Sequence, residues 1–310
     1  MTLVAPAAPA SPPPAPVTGG LLAIGEALLD LLTTDFVDDL AQASTLHAVP
    51  GGSPANLCRF VRLSGGQARL VAAVGQDGLG DLLLRSLAAA GLDTTHVHRL
   101  PDRATSLIVV GRSRGTPSFI PYRSADRYLP PVAPALIAEA TVVHTTAFAL
   151  SRPPAQEHIL AALRLATAQG IAVSADWNYA APIWRRNDNG QAVWRQLLTH
   201  RPLLKLSLDD VARFAGVAPE ADAAKAFLAD VPVRALCLTC GAAGVWFRAT
   251  TGLWQHVPAA PLAEADVLDA TGAGDAFWAG FLTAWMEAAS LPACVARGTA
   301  TAARRLCGKL

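Results

Sequence analysis

Short apolar runs, each closed by a turn and followed by a stretch able to form a helix, recur along this chain. That alternation constrains its fold more than any other feature. Residues 21–24 run into Gly25-Glu26, residues 69–74 into Gly75-Gln76-Asp77-Gly78, and the helical stretch 79–90 stops at Gly91. Residues 141–145, a long helix over 153–169 ended by Gly170, and residues 171–175 repeat the unit, and 203–206 and 235–239 continue it. Strands that are apolar without alternation are buried on both faces, so the pattern predicts an α/β protein whose mainly parallel sheet is covered by helices. Hydrophobic residues make up 52% of the chain and charged residues 16%, which supplies the core such a sheet needs. A length of 310 residues accommodates one large α/β unit with a small insertion.

The rhythm breaks between 97 and 131. Residues 105–110 and 118–122 read as strands joined by a Gly/Arg/Ser turn, and residues 46–49 as another extended piece. Together with the segment before Gly51 these predict a small sheet outside the main one, built from about 31–50 and 97–131, that covers a cleft and excludes water on closure. Residues 245–247 and 254–257 predict a hairpin, and helices are expected from the 269–275 stretch to about 289 and from 292 to about 306.

Residues 1–19 are mostly Ala and Pro without charge and read as a disordered tail rather than a signal peptide. No apolar stretch is long enough to span a membrane, and a net charge of +1 gives no nucleic-acid footprint. Five cysteines without a framework point to reduced thiols and a cytoplasmic protein, and Cys237 and Cys240 have no second pair at metal spacing. No P-loop, dinucleotide fingerprint, H-E-x-x-H or G-x-S-x-G is present.

The stretch Asp269-Ala270-Thr271-Gly272-Ala273-Gly274-Asp275 precedes an apolar helix. The first N–H groups of a helix lack internal partners, so this turn can hold an anion or charge developing on a transferred group. Asp275 beside it can take a proton from an attacking hydroxyl; the plain alternative is a glycine turn with an aspartate cap. A second glycine turn, Gly51-Gly52, lets a ligand approach the backbone, with Ser53 as a helix cap, Pro54 in the first turn and Asn56 beside it. Asp30 lies just past the first core strand, where an acid meets ligand hydroxyls or is only a loop residue. Asp176 and Asn178 stand at the end of another strand. Arg123 and Asp126 either orient a polar substrate or form an ordinary ion pair. Asp209 and Asp210 open a short helix, as a magnesium position through water or as residues favoured by the helix dipole.

These motifs resemble those of the ribokinase-like sugar kinases, the PfkB carbohydrate kinases. That family's D-T-x-G-A-G-D signature is matched here with Ala270 in place of threonine, and its double glycine with a following asparagine by Gly51, Gly52 and Asn56. The resemblance runs from about residue 21 to the C-terminus. It implies a three-layer ribokinase-like fold over 20–310 with a β-sheet lid, and ATP-dependent transfer of the γ-phosphoryl group to a sugar hydroxyl.

By the same resemblance Asp275 is the catalytic base, and Gly272, Ala273 and Gly274 form the anion hole. Asp30, Gly51, Gly52, Asn56, Arg123, Asp126 and Asn178 bind the sugar. Lys205, Ser207, Thr239, Gly241 and Gly244 attend the nucleotide, and Asp210 holds Mg²⁺ through water. Ser207 and Asp210 depart from the family's K-x-N-x-x-E. Family members also bind a monovalent cation near the motif, which makes potassium a candidate, and they dimerise through their lids.

Phe119, Tyr122, Arg123, Ala125, Asp126 and Leu129 are closest in pattern to fructokinases, although Ala180 stands where an arginine follows the D-x-N of that group. A 2-keto-3-deoxygluconate kinase, or a kinase for another ketose or polyol, is the nearest alternative. A non-catalytic sugar-binding protein on the same scaffold is the alternative from a different class.

Overall fold

The computed structural model describes residues 19–310 except 38, 113–117, 185–188, 251, 264–265 and 269. The predicted tail therefore lies almost wholly outside the described residues, as does Asp269 of the glycine motif. The chain opens with β1 (Leu21–Ile24), β2 (Leu28–Thr33), β3 (Leu46–Gly51) and α1 (Ser53–Leu63). There follow β4 (Ala68–Gly75), α2 (Gly78–Ala89), β5 (Val97–Leu100), β6 (Leu107–Gly111), β7 (Ser118–Tyr122) and α3 (Pro134–Ala138). The middle comprises β8 (Val142–Thr146), α4 (Ala155–Ala168), β9 (Ala172–Asp176), α5 (Ala181–Trp184), α6 (Gly190–Leu198), β10 (Leu203–Ser207), α7 (Leu208–Ala215) and α8 (Ala221–Phe227). The end holds β11 (Ala235–Thr239), β12 (Val245–Ala249), β13 (Gln255–Val257), α9 (Ala273–Met286) and α10 (Leu291–Leu306).

Among the described residues nine strands form the large sheet, in the order β13-β12-β11-β10-β9-β8-β1-β4-β5. Its pairs are parallel from β11 through β5, and the β12 and β13 pairings are antiparallel. Because side chains alternate across a strand, each strand serves two cores. Leu22, Ile24, Val143, Val173, Leu204 and Leu236 pack on one face with residues of α4, α6 and α7. Leu21, Ala23, Val142, Ala172, Leu203 and Cys237 pack on the other with residues of α1, α2, α9 and α10. The three layers expected from the sequence are present.

A second sheet of four strands, β3-β2-β6-β7, stands apart from the first. Two details differ from expectation. The first strand of the 97–131 segment, β5, joins the edge of the large sheet beside β4 instead of the small one. Asp30 lies within β2 of the small sheet, paired with Val49 and Ile108, not in a loop after β1.

The strand order fixes where a ligand can enter. From β1 the chain adds β4 and β5 on one side, then returns to add β8 and its successors on the other. Connections leave β1 and β8 in opposite directions, so a crevice opens at their C-terminal ends, the usual ligand site of open α/β sheets. No helix among the described residues is long and apolar enough to cross a membrane, and the five cysteines are free.

Candidate active site

Two helix N-termini meet above that crevice. α1 begins where the lid strand β3 ends at the double glycine, and α9 begins at Gly272, so the two signatures far apart in sequence face one another. Asp275 sits in the first turn of α9. Its Oδ1 accepts a hydrogen bond from Ser53 Oγ at 2.7 Å and its Oδ2 one from Asn56 Nδ2 at 3.1 Å. Protein atoms crowd the carboxylate while the residue keeps an opening to the cleft. Burial raises the Asp275 pKa to about 6 against the hydrogen bond from Ser53; nearby Asp176 adds to the rise, and Lys205 and Asn56 oppose it. A carboxylate so tuned is ionised at neutral pH yet basic enough to accept a proton from a hydroxyl.

The glycine turn at the start of α9 presents backbone N–H groups of the kind that can hold an anion. The N–H of Ala273 turns back onto the Ala270 carbonyl at 3.1 Å. The N–H groups of Gly274 and Asp275 follow in the first turn of α9, where helix donors lack partners within the helix itself. Gly272, with φ of 74°, makes the left-handed turn that starts the helix.

Asp30 reaches the same place from the lid. Its Oδ2 would lie 2.2 Å from a Cβ on Gly51, so glycine there is what lets the carboxylate lie across the turn. Burial and the charge of Asp275 raise the Asp30 pKa to about 6. Gly52 has φ of 98°, and a Cβ on it would meet the Glu26 carbonyl oxygen at 2.5 Å. This close turn aims the start of α1 at α9. Ser53 does not cap its own helix: the N-cap residue is Gly52, and no side chain caps the end.

Lys205 enters from below. Its ammonium is buried, bonds Asp176 Oδ2 at 2.7 Å, and lies 3.2 Å from where a Cβ on Gly274 would be. Burial works against its charge, but Asp176, Asp210 and Asp275 together hold its pKa above the ordinary value. Ser207 and Asp210 form a capping box on α7: Asp210 Oδ2 accepts from Ser207 N at 2.8 Å and Ser207 Oγ at 2.6 Å. The other Asp210 oxygen has Arg213 Nη1 at 3.6 Å.

Among the described residues no group of His, Cys, Asp or Glu is arranged to hold a metal by itself. Carboxylate oxygens of this kind fit a magnesium ion carried mainly by phosphates and water. Thr239 ends β11, and Gly241 and Gly244 bound the turn into β12, closed by Cys240 N–H donating to the Gly244 carbonyl at 2.8 Å. Gly298 of α10 packs against Phe277 of α9, where a Cβ would meet the ring at 2.8 Å.

Arg123 and Asp126 turn out to serve one another. Nε and Nη2 of Arg123 donate to Asp126 Oδ2 at 2.8 and 2.5 Å, Nη1 donates to Ser151 Oγ, and the guanidinium stacks 4.1 Å from the Phe148 ring centre. Asp126 also accepts from Ser106 Oγ. The pair is buried where the lid joins the body, so its partners in the present structure are internal. Asn178 accepts a hydrogen bond from Phe148 N at 3.2 Å through Oδ1.

The sequence reading missed two residues, Ser53 as a contact of the base and Glu26. Glu26 is 3% exposed at the end of β1, accepts from Ser53 N at 3.2 Å and Thr146 Oγ1 at 3.0 Å, and burial raises its pKa to about 8. A carboxylate two residues past a wholly apolar strand, behind Gly25, is the signal that could have found it.

An aspartate in the first turn of α9, bonded to the start of α1 beside a separate small sheet, is placed to take a proton from a hydroxyl in a phosphoryl transfer. Residues 20–307 match the pfkB family carbohydrate kinase profile. The chain is 31% identical over 288 residues to the ATP-dependent 6-phosphofructokinase of Thermoanaerobacterium thermosaccharolyticum, covering 92% of this chain and 87% of that one. It is 30% identical over 269 residues to the fructokinase of Klebsiella pneumoniae, covering 86% and 84%. The solved fructokinase of Halothermothrix orenii superposes with a TM-score of 0.78 at 28% identity, covering 90% of this chain and 98% of that one. The chain belongs to the pfkB family and is an ATP-dependent carbohydrate kinase.

Proposed function

We propose that the acceptor is a neutral ketohexose, fructose or a close relative, phosphorylated from ATP. The observation that carries this reading is the character of the acceptor side. Asp30 and Asp275 stand there together, and the lid residues sharing Asp30's face by register, Val49, Ile108 and Pro121, are apolar. Two adjacent carboxylates repel an anionic sugar, and Arg123 on the lid is engaged by Asp126 and Ser151. A second reading, fructose 6-phosphate, is favoured by the similarity to a 6-phosphofructokinase. ADP release with fructose, fructose 6-phosphate and 2-keto-3-deoxygluconate tests the choice: preference for either acid overturns the neutral-sugar reading.

In this mechanism the sugar hydroxyl, held by Asp30 and the Gly51-Gly52 turn, attacks the γ-phosphorus while Asp275 takes its proton. The N–H groups of Gly274 and Asp275 face the transferred group, and Lys205 adds positive charge beneath them. Magnesium, when bound with the nucleotide through water at Asp210, supplies neutralisation of phosphate charge. Thr239, Gly241 and Gly244 line the nucleotide side, and closure of the lid excludes water. A monovalent cation at loop carbonyls beside Asp275 belongs to the same reading, and replacing potassium by sodium in the assay tests it.

The outward lid face supports a homodimer. Ile120 and Tyr122 are exposed there, beside a groove lined by Leu107, Val109 and Tyr122, and an apolar sheet face of this kind is normally covered. Sedimentation across concentrations checks it. The free cysteines fit a reducing, cytoplasmic setting.

A further inference from the structure

We infer that Ser53 is a positioning residue for the base: with Asn56 it clamps the Asp275 carboxylate between two donors and sets which of its lone pairs faces the acceptor hydroxyl. The inference rests on the reading of Asp275 as base.

Ser53 and Asn56 are three residues apart on the first turn of α1, hence on one face. Each gives a single donor to a different oxygen of the same carboxylate, at 2.7 and 3.1 Å. A carboxylate has about four acceptor directions, so one on each oxygen stays open toward the cleft. Nothing local explains the serine. It is the first residue of α1, one past the N-cap Gly52, and its hydroxyl reaches a residue 222 positions away.

Its backbone is held as well. Glu26 Oε1 accepts the Ser53 N–H, Glu26 Oε2 is fixed by Thr146 Oγ1, and the Gly52 turn packs on the Glu26 carbonyl. The end of β1 thus positions Ser53, and Ser53 positions the base. Other charged groups acting on Asp275 come from three further strands: Asp30 on β2, Asp176 on β9 and Lys205 on β10. Of the favourable influences on the ionised form, the Ser53 hydrogen bond is the largest.

The test uses the full-length enzyme with ATP, magnesium and whichever of fructose or fructose 6-phosphate the wild type phosphorylates. Ser53→Ala should lower kcat about tenfold with little change in the KM for ATP, and move the acidic limb of the kcat profile upward by roughly half a pH unit or more. Ser53→Thr, which keeps the hydroxyl, should restore both. Wild-type kcat and an unmoved limb in Ser53→Ala overturn the inference. So does a loss shared by Ser53→Ala and Ser53→Thr with an unmoved limb, because that is packing and not the hydroxyl. Asp275→Asn run alongside separates the two levels: retained turnover there refutes the base itself, whereas an inactive Asp275→Asn with an unaffected Ser53→Ala refutes only the role of Ser53.

Discussion

Lys205→Met should be among the most damaging single changes outside the base itself. The pair Lys205–Asp176 is buried on both sides, with side-chain exposures of 6% and 4%, at 2.7 Å. At an effective dielectric constant of about 20 that separation corresponds to roughly 6 kcal/mol of attraction. Desolvation offsets much of it, so the intact pair adds little net stability. Removing one partner is different. Asp176 Oδ1 already has no hydrogen-bond partner, and without Lys205 the Oδ2 atom loses its donor too, leaving a buried charge with nothing to balance it. Such a loss costs about 3–5 kcal/mol, or roughly 6–10 °C in Tm for a chain of this size. Urea unfolding at neutral pH measures it. The double variant Lys205→Met/Asp176→Asn should regain a large part, since the stranded charge is gone. A single-variant loss below about 1 kcal/mol, or a double variant no more stable than the single one, refutes this reasoning.

Gly51→Ala puts a methyl group where the Asp30 carboxylate lies, so the KM for the sugar should rise about tenfold or more while ATP affinity is kept; steady-state kinetics and nucleotide titration check both halves. Glu26 gives a pH-dependent stability effect of defined sign. Its folded pKa is raised from 4.5 to about 8, so the folded state holds a proton that the unfolded state has released, and stability falls as pH rises across that window. Glu26→Gln removes the penalty: its stability relative to wild type should improve between those values by at most about 1.4 kcal/mol per pH unit, read from urea midpoints. A difference that is flat with pH contradicts the buried, proton-holding Glu26.

Much of the scaffold was readable because its signals are local. A run such as Leu21–Ile24 without polar alternation identifies a strand buried on both faces, and the turns at Gly75 and Gly170 end their segments whatever lies elsewhere. Asp275 and the two glycine turns were readable for the same reason, since a helix start carries its chemistry in adjacent residues. What stayed hidden depends on partners distant in sequence. Ser53 has the spacing of a helix cap, and only the approach of α9 shows its hydroxyl bonding Asp275. Residues 97–100 carry no mark assigning β5 to the large sheet; its pairing with β4 does. For Arg123 and Asp126 the sequence allowed substrate contact or an ion pair, and burial with Ser106, Ser151 and Phe148 favours the pair. Asp210 had the same two readings, and its bonds to Ser207 give it a structural task at the start of α7 alongside any role toward magnesium.

The central claim is that Asp275 removes the proton from the acceptor hydroxyl. Asp275→Asn keeps the size of the side chain and its place between Ser53 and Asn56 but removes the base. Turnover measured by sugar-dependent ADP release should fall roughly 100-fold or more, with ATP affinity by calorimetric titration close to wild type. Turnover within a few-fold of wild type would contradict the account.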